Sequence, residues 1–164
     1  NPDFFGGFTN NFNYGNFDLN VFFQFVYGND VLNGNRLVFE GWGSPQQNLF
    51  ASYVNRWTPE NPTNEHFRTN GQGPYAYSSK IVEDGSFLRL KTASLGYKLP
   101  ADLLKRIKLQ GCRIYVSGQN LFTWTKYKGF DPEVSARSSA LTPNFDYAVY
   151  PRSRTITFGL NLTL

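Results

Sequence analysis

The sequence has 164 residues, a formal charge of +4, 18% aromatic residues and only 17% charged residues, fewer charges than the ~25% of typical soluble domains. Its basic residues are scattered, which argues against a nucleic-acid partner, and its single cysteine excludes an internal disulfide or a cysteine-cluster metal site. No apolar run reaches the ~18 residues that a membrane helix needs. Because the chain starts at Asn1 and contains no methionine, we expect a piece of a longer protein, with any targeting segment upstream.

The first two predicted strands form an aromatic hairpin. Even positions from Phe4 to Tyr14 are mostly aromatic residues or glycine, and the intervening odd positions are mostly polar. After the tight turn at Gly15-Asn16, the apolar residues occupy the odd positions from Phe17 to Tyr27. Because successive side chains of a strand point to opposite faces, each segment presents one apolar face.

Three further segments repeat this alternation, at residues 86–99, 112–124 and 152–164. The first two are joined by residues 100–110, which can hold one helical turn. Leu88 and Leu90 have the opposite parity to Leu95, which either a β-bulge or a two-sided environment would explain. The last segment exceeds the ~5–6 residues of an average strand and approaches the ~9–11 residues of a strand that crosses a bilayer.

Long and short connections alternate between the five predicted strands, and the long ones are residues 30–84 and 125–150. A soluble β-sandwich rarely needs two such loops, whereas bacterial outer-membrane barrels combine short periplasmic turns with long extracellular loops. We therefore predict an all-β fold with five antiparallel strands of a large transmembrane β-barrel. Both long loops are then extracellular. The alternative is a soluble β-sandwich carbohydrate-binding module, which would share the richness in Asn, Tyr and Trp.

A short amphipathic helix is predicted inside the first long loop. Ser44-Pro45 supplies an N-cap and a proline at the first helical position. Apolar residues then recur at helical spacing up to Trp57, and the helix must stop before Pro59.

Aromatic residues of the first long loop are the best candidates for contacts with a substrate or partner, because aromatic faces stack on sugar rings and anchor protein partners. They also suit a loop core or an interfacial belt. These candidates are Trp42, Tyr53, Trp57, Tyr75 and Tyr77.

Four residues are predicted to lie at the membrane interface. Trp124 and Tyr127 suit an extracellular aromatic girdle. Arg152 and Arg154 begin the last predicted strand, where they can meet lipopolysaccharide phosphates or extend to the interface.

No residues form a predicted catalytic centre, and we expect neither an enzyme nor a cofactor. His66 is the only histidine, so it lacks the partners of a usual metal or catalytic site. A calcium ion could take oxygen ligands from Asp131, Glu133 and Asp146. Their spacing matches no defined calcium loop, however, and favours a solvated acidic loop. The Glu83-Asp84-Gly85 segment is expected to make a turn and a contact that anchors the loops.

Several long motifs resemble the C-terminal part of the SusC/RagA-type TonB-dependent transporters of Bacteroidota. They are ordered as in that family and lie at 56–62 (RWTPENP), 82–91 (VEDGSFLRLK), 94–97 (SLGY), 116–125 (VSGQNLFTWT), 127–133 (YKGFDPE) and 150–164. Two positions depart from the family: Leu164 stands where a terminal phenylalanine is usual, and Phe67-Arg68 where many members have Pro-Arg.

The resemblance implies a barrel of about 22 strands with a plugged lumen, of which residues 1–164 would be the last five strands. Such a protein imports glycans or peptides across the outer membrane. A SusD-like surface lipoprotein covers its extracellular mouth, and the TonB complex acts through the N-terminal part that would precede Asn1. Outer-membrane lipid and lipopolysaccharide would surround the wall.

Overall fold

A computed structural model describes residues 1–40, 48–68, 77–106, 108–133, 135–136 and 143–164. Its strands and α-helices in chain order are β1 (Phe4–Tyr14), β2 (Phe17–Tyr27), β3 (Asp30–Asn33), α1 (Gly34–Phe39), β4 (Val82–Asp84), β5 (Phe87–Lys98), α2 (Ala101–Arg106), β6 (Gly111–Thr125), β7 (Phe145–Asp146) and β8 (Thr155–Thr163). Short 3-10 helices cover Ala51–Asn55 and Ser79–Ile81. Within the described residues, no helix is both long and apolar enough to cross a membrane.

The chain divides into two compact units. The sheet unit comprises residues 1–28, 86–126 and 152–164, and the loop unit comprises residues 29–85 and 127–151. The sheet unit holds one antiparallel sheet in the order β1-β2-β5-β6-β8. All five predicted strands are confirmed, and α2 supplies the helical turn expected between the third and the fourth.

A β-bulge accounts for the change of parity in β5. The pairing of β5 with β6 shifts between Leu90 and Thr92, so that Leu90 lies opposite Phe122 but Thr92 lies opposite Gln119. Asn120, on the bulged stretch of β6, has a φ of 51°, a left-handed conformation that Asn tolerates better than most residues. The bulge returns Leu88 and Leu90 to the face that carries Leu95.

One face of the sheet is apolar from edge to edge. Cross-strand partners on it include Phe8 with Phe23, whose rings stack at 4.9 Å, and Val116 with Phe158. Phe8 and Phe158 are exposed, with Phe158 81% accessible, and Phe23 and Val116 are half-buried. An apolar surface of this extent in a soluble monomer marks an interaction site or a membrane contact.

The opposite face carries mostly polar residues, with Phe22 and Val26 among its exceptions, and one transverse row of contacts crosses four of its strands. Asp18, Gly96, Tyr115 and Gly159 are successive cross-strand partners on β2, β5, β6 and β8. Arg113 crosses Gly96 to reach Asp18, with 2.9 Å between Nε and Oδ1, and its guanidinium lies 5.0 Å from the Tyr115 ring centroid. The Tyr115 ring covers Gly159, where a Cβ atom would collide with it.

The loop unit is built around a small second sheet in the order β4-β3-β7. Strand β3 runs antiparallel to β4 and parallel to β7, and α1 follows β3 directly. Among its described residues, the buried apolar ones are Val31, Leu37, Val38, Ile81 and Tyr127. Buried polar residues are at least as numerous: Asn29, Asn33, Asn35, His66, Asp131 and Asp146.

The amphipathic helix predicted to run to Trp57 is wrong in its type and its end. Residues 44–47 lie outside the described residues, and the described part is a 3-10 helix that stops at Asn55. Phe50 is extended before it because its N–H donates to the Phe39 carbonyl, 3.0 Å away. Among the described residues of this connection, the α-helix is α1 instead, which the periodicity did not reveal.

Candidate membrane-facing surface and loop contacts

Exposed aromatic residues bound the apolar face at both ends. At the end where the long connections leave the sheet, Phe4 stacks on Tyr27 with 4.9 Å between ring centroids, and Trp124 lies 6.1 Å from Phe122. At the end of the short connections, Phe17 lies 4.7 Å from Tyr97. Aromatic girdles at two levels are typical of transmembrane barrels. The sequence pattern predicted only the level near the long connections.

The spacing of the two aromatic levels fits a bilayer. From Phe17 to Tyr27 on β2 the strand rises ~33 Å at ~3.3 Å per residue. With the usual strand tilt of ~35–45°, this length spans the ~25 Å height of an apolar band. The apolar face therefore has the dimensions of a lipid-facing wall.

Arg152 and Arg154 precede β8, which begins at Thr155. The Arg154 guanidinium lies 5.4 Å from the centroid of the Phe122 ring, close to Trp124 on the same face. A cation–π contact of this kind holds a cation beside an apolar surface. The geometry therefore suits a cation at the edge of an apolar band, and the lipopolysaccharide contact stays a prediction.

Tyr127 differs from the exposed position expected of a girdle residue. Its side chain is 6% exposed and lies in the loop unit, where its hydroxyl donates to Asp146 Oδ2 at 2.6 Å. Burial, followed by the acceptor carboxylate of Asp146, raises the pKa of Tyr127 well above its ordinary range. The ring joins the core of the loop unit rather than a membrane boundary, which corrects the expectation for this residue.

The described loop aromatics all belong to the loop unit. Tyr53 and Trp57 are half-buried, and each carries an arginine over its ring: Arg56 at 5.3 Å and Arg68 at 5.5 Å. Tyr77 is exposed. Trp42 and Tyr75 lie outside the described residues. Aromatic–cation pairs of this sort can contact a ligand or partner, and these roles stay predictions.

Glu83 makes the predicted anchoring contact, although it lies in strand β4 rather than in the predicted turn. Its carboxylate accepts hydrogen bonds from Asn33 Nδ2 at 3.3 Å, Arg36 Nη1 at 3.0 Å and the Lys128 backbone N–H at 2.9 Å. Gly85 N–H donates to the Asn29 carbonyl at 2.8 Å. These bonds join residues far apart in the chain, so that both long connections share one network.

Arg36 is the cation of this network, and sequence reasoning missed it. Its guanidinium pairs with Glu40 and Glu83, each at 3.0 Å, and donates to the Lys80 carbonyl at 2.9 Å. The only local signal was the four-residue spacing of Arg36 and Glu40 on a helix.

Lys80 itself donates to the Glu65 carbonyl and faces the Phe67 ring, and burial lowers its pKa.

The acidic residues of the second long connection have structural contacts. Asp131 Oδ1 accepts the Glu133 N–H at 3.0 Å, and Asp146 accepts the Tyr127 hydroxyl. His66 is buried, and its carbonyl accepts the Trp57 N–H at 3.1 Å. Among the described residues, no three His, Cys, Asp or Glu side chains are grouped to hold a metal ion. The expectation of a solvated acidic loop is wrong for Asp131 and Asp146, which are both buried. Asp131 accepts a bond within its own turn, and Asp146 accepts the hydroxyl of the buried Tyr127.

Comparison with known proteins gives consistent matches. The chain is 43% identical to TonB-dependent receptor P3 of Formosa agariphila over 98% of its own length and 16% of that protein. It is 38% identical to TonB-dependent receptor SusC of Bacteroides thetaiotaomicron over 57% of its own length and 9% of that protein. No protein-family model matches the chain.

Solved structures match over the whole chain. The RagAB peptide importer in its open-open state superposes with a TM-score of 0.83 and 32% identity, covering 100% of this chain and 17% of that one. The closed-closed state matches with the same TM-score and 33% identity. The chain thus spans only 16% of receptor P3 and 17% of the RagAB importer chain.

Proposed function

Since the chain is homologous to SusC/RagA-type TonB-dependent receptors over a segment of about 17% of their full length, we propose that it is the C-terminal barrel segment of an outer-membrane importer. Receptors of this family are transporters rather than enzymes and reside in the bacterial outer membrane. The whole protein would import a nutrient, a glycan or a peptide, and the TonB complex would act through its N-terminal part.

The exposed apolar face is the observation that carries this proposal. It runs across all five strands between two aromatic levels, and its central side chains such as Phe158 are open to the surroundings. A soluble carbohydrate-binding sandwich would bury such a face in its core, because burial stabilises a fold by ~25 cal/mol for each Å² of apolar surface removed from water. Lipid would cover the face in a barrel wall.

The edges of the sheet fit the same role. Strands β1 and β8 are the outer strands of the sheet, and open edges of this length invite further pairing. We assign β8 as the closing strand, paired at its free edge with the first strand of the same barrel. Strand β1 would continue the wall toward the preceding strand.

The loop unit would form the extracellular part of this segment. Residues 30–84 and 125–150 would contact the substrate or a SusD-like surface lipoprotein, with Trp42, Tyr53, Trp57, Tyr75 and Tyr77 as contact candidates. The solved RagAB structures support a partner of this kind, because RagA-type chains occur there in a complex that imports peptides.

Deletion of the gene for the full-length receptor tests this function. The deletion strain is grown on single glycans and on peptide mixtures as sole nutrient, and is complemented with the wild-type gene in backgrounds with and without a functional TonB complex. We expect growth to be lost on one nutrient class and restored only where TonB functions. Unchanged growth on every nutrient, or restoration without TonB, contradicts the proposal.

A further inference from the structure

The apolar face of the sheet unit contains a depression of ≈ 210 Å³. Its floor is formed by Ala93 and Gly118, which are cross-strand partners on β5 and β6. Larger apolar side chains surround this floor: Leu19, Leu95, Val116, Leu121 and Ile156. These residues together are named the wall depression. Its volume is below the ~300–1,000 Å³ of clefts that enclose drug-sized ligands, so the depression suits a segment of a longer apolar chain.

The β-bulge of the sheet shapes this depression. Gly118 has no side chain to fill the floor, and a Cβ atom there would collide with the side chain of Leu121. Leu121 follows Asn120, whose φ of 51° belongs to the bulged stretch of β6. The Nδ2 of Asn120 donates to the Ser153 carbonyl at 3.1 Å. The segment that leads into β8 therefore holds the bulge, and with it the position of Leu121.

A cation lies at one end of the wall depression. The Arg154 guanidinium is 5.4 Å from the centroid of the Phe122 ring. Arg154 precedes Ile156 of the depression by two positions, which is ~7 Å along an extended chain. Residues two apart in such a chain share a face. Residues 111–125 and 147–164 contain no Asp or Glu, so the charge of Arg154 is complementary to an anion supplied from outside these segments.

The position of Arg154 fits one boundary of the apolar band. Ten residues separate Arg154 from Leu164, the same interval that separates Phe17 from Tyr27 at the two aromatic levels. Arg154 lies toward the long connections, which are extracellular in the proposed barrel. A cation is tolerated there, because its cost falls to ~0–1 kcal/mol near the membrane interface. The wall depression would then face the outer leaflet of the outer membrane.

The lipid of that leaflet combines the two chemical groups that the site fits. Lipid A, the membrane anchor of lipopolysaccharide, carries phosphate beside several acyl chains. A guanidinium pairs with a phosphate through two parallel N–H groups, and an acyl chain gains contact by filling an apolar depression. We infer that the sheet unit binds one lipid A molecule, with a phosphate on Arg154 and an acyl chain in the wall depression. This inference rests on the proposed assignment of the apolar face to lipid.

Native mass spectrometry of the full-length receptor, delipidated in detergent, tests this site. Monophosphoryl lipid A, its dephosphorylated form and phosphatidylglycerol are titrated separately, and bound lipids are counted from the added mass. Arg154→Gln removes the cation, and Ala93→Phe fills the floor of the depression. Lys105→Gln is the matched control for charge, at an exposed cation of α2. Leu162→Phe is the matched control for size, at an exposed apolar residue outside the depression.

We expect one monophosphoryl lipid A molecule to bind tightly to each wild-type receptor. Arg154→Gln should raise its Kd at least about threefold, since one cation beside anionic headgroups contributes roughly fivefold. Ala93→Phe should raise the Kd by a similar factor, because the acyl chain loses buried methylene groups. Both control variants should leave the Kd unchanged. The dephosphorylated lipid should bind equally to wild type and Arg154→Gln.

Three results would overturn the inference. They are a lipid A affinity that Arg154→Gln leaves unchanged, one that Ala93→Phe leaves unchanged, and phosphatidylglycerol binding at these residues as tightly as lipid A. Heat-modifiable migration in gels checks that every variant is folded, and Arg154 is exposed, so its replacement should spare the barrel. The gene-deletion growth test measures transport rather than lipid binding, so the lipid site and the transport function can fail separately.

Discussion

The two units of the chain expose and bury opposite kinds of side chain. In the sheet unit, apolar residues such as Phe158 and Leu160 are exposed, and Arg89 is among the most buried residues. In the loop unit, Asn33 and Asp146 are almost fully buried. The sheet unit is held by its backbone ladder and leaves apolar surface for its surroundings, whereas the loop unit depends on specific hydrogen bonds between distant residues.

A charge on the apolar face should have the largest effect and should spare the loop unit. Phe158 lies near the middle of β8, opposite Val116. In a full-length receptor folded into lipid vesicles, Phe158→Arg should lower the free energy of unfolding by ~2–4 kcal/mol, the cost of a cation near the bilayer midplane. The matched control is Thr157→Arg on the opposite face, which should cost less than about 1 kcal/mol. Equal costs in urea unfolding would show that the two faces meet the same environment.

Loss of one buried hydroxyl should affect the loop unit alone. Tyr127→Phe leaves Asp146 without its donor, which we expect to destabilise the loop unit by about 1–3 kcal/mol. Limited proteolysis should then cut residues 29–85 and 127–151 faster, with the sheet unit still resistant. Tyr147→Phe, at a more exposed tyrosine of the same unit, is the control and should leave the cleavage rate unchanged. An equal loss of resistance in the sheet unit would contradict the expectation that this hydrogen bond stabilises the loop unit alone.

The loop unit should also lose stability at alkaline pH. Burial and the Asp146 carboxylate raise the pKa of Tyr127 above its usual ~10. A raised folded-state pKa gives stability that is complete below pH ~10 and declines as the pH rises further. We expect the cleavage rate of the loop unit by an alkaline protease to increase above pH ~10 in wild type. The Tyr127→Phe variant should lack this increase, and an identical rise in both would assign the pH dependence to other groups.

A small substitution on the polar face tests the transverse row of the sheet. In Gly159→Ala, the new methyl group meets the Tyr115 ring. Because the ring can shift, we expect a cost of about 1 kcal/mol, the low end for overpacking. Gly111→Ala is the control in the same strand pair, since its Cβ would lie 3.3 Å from Thr163. The stability of both variants is compared by their urea unfolding midpoints. Equal decreases in the two midpoints would show that the contact with Tyr115 has no special role.

Sequence periodicity predicted the sheet unit well because its structure follows from local alternation. Even the irregular parity of Leu88 and Leu90 was informative, since a bulge was one of its two possible explanations and the pairing of β5 and β6 contains one. The family resemblance was carried largely by motifs in or beside these strands. Residues exposed to lipid and residues of a soluble core alternate alike, so the pattern alone left a soluble sandwich open.

The loop unit escaped the same reasoning because its contacts are not periodic. Arg36 meets Glu83 across 47 positions, and Tyr127 meets Asp146 across 19. Helix α1 has only six residues, too short for a recognisable apolar stripe. Apolar spacing instead predicted a helix to Trp57, where a backbone bond between Phe50 and Phe39 holds the preceding chain extended. Asn and Gly favour turns in a sequence, but in the loop unit Asn29, Asn33 and Asn35 are buried and Gly85 is hydrogen-bonded to Asn29.

Spin labels along β8 test the membrane-wall assignment most directly. Single cysteines are placed at positions 156–162 of the full-length receptor in a Cys112→Ala background, labelled with a nitroxide and examined in lipid vesicles. We expect collisions with oxygen to dominate at positions 156, 158, 160 and 162, and collisions with a water-soluble nickel complex to dominate at 157, 159 and 161, since lipid-facing and lumen-facing residues alternate. The opposite phase, or equal accessibility along the strand, would contradict the assignment of the apolar face to lipid.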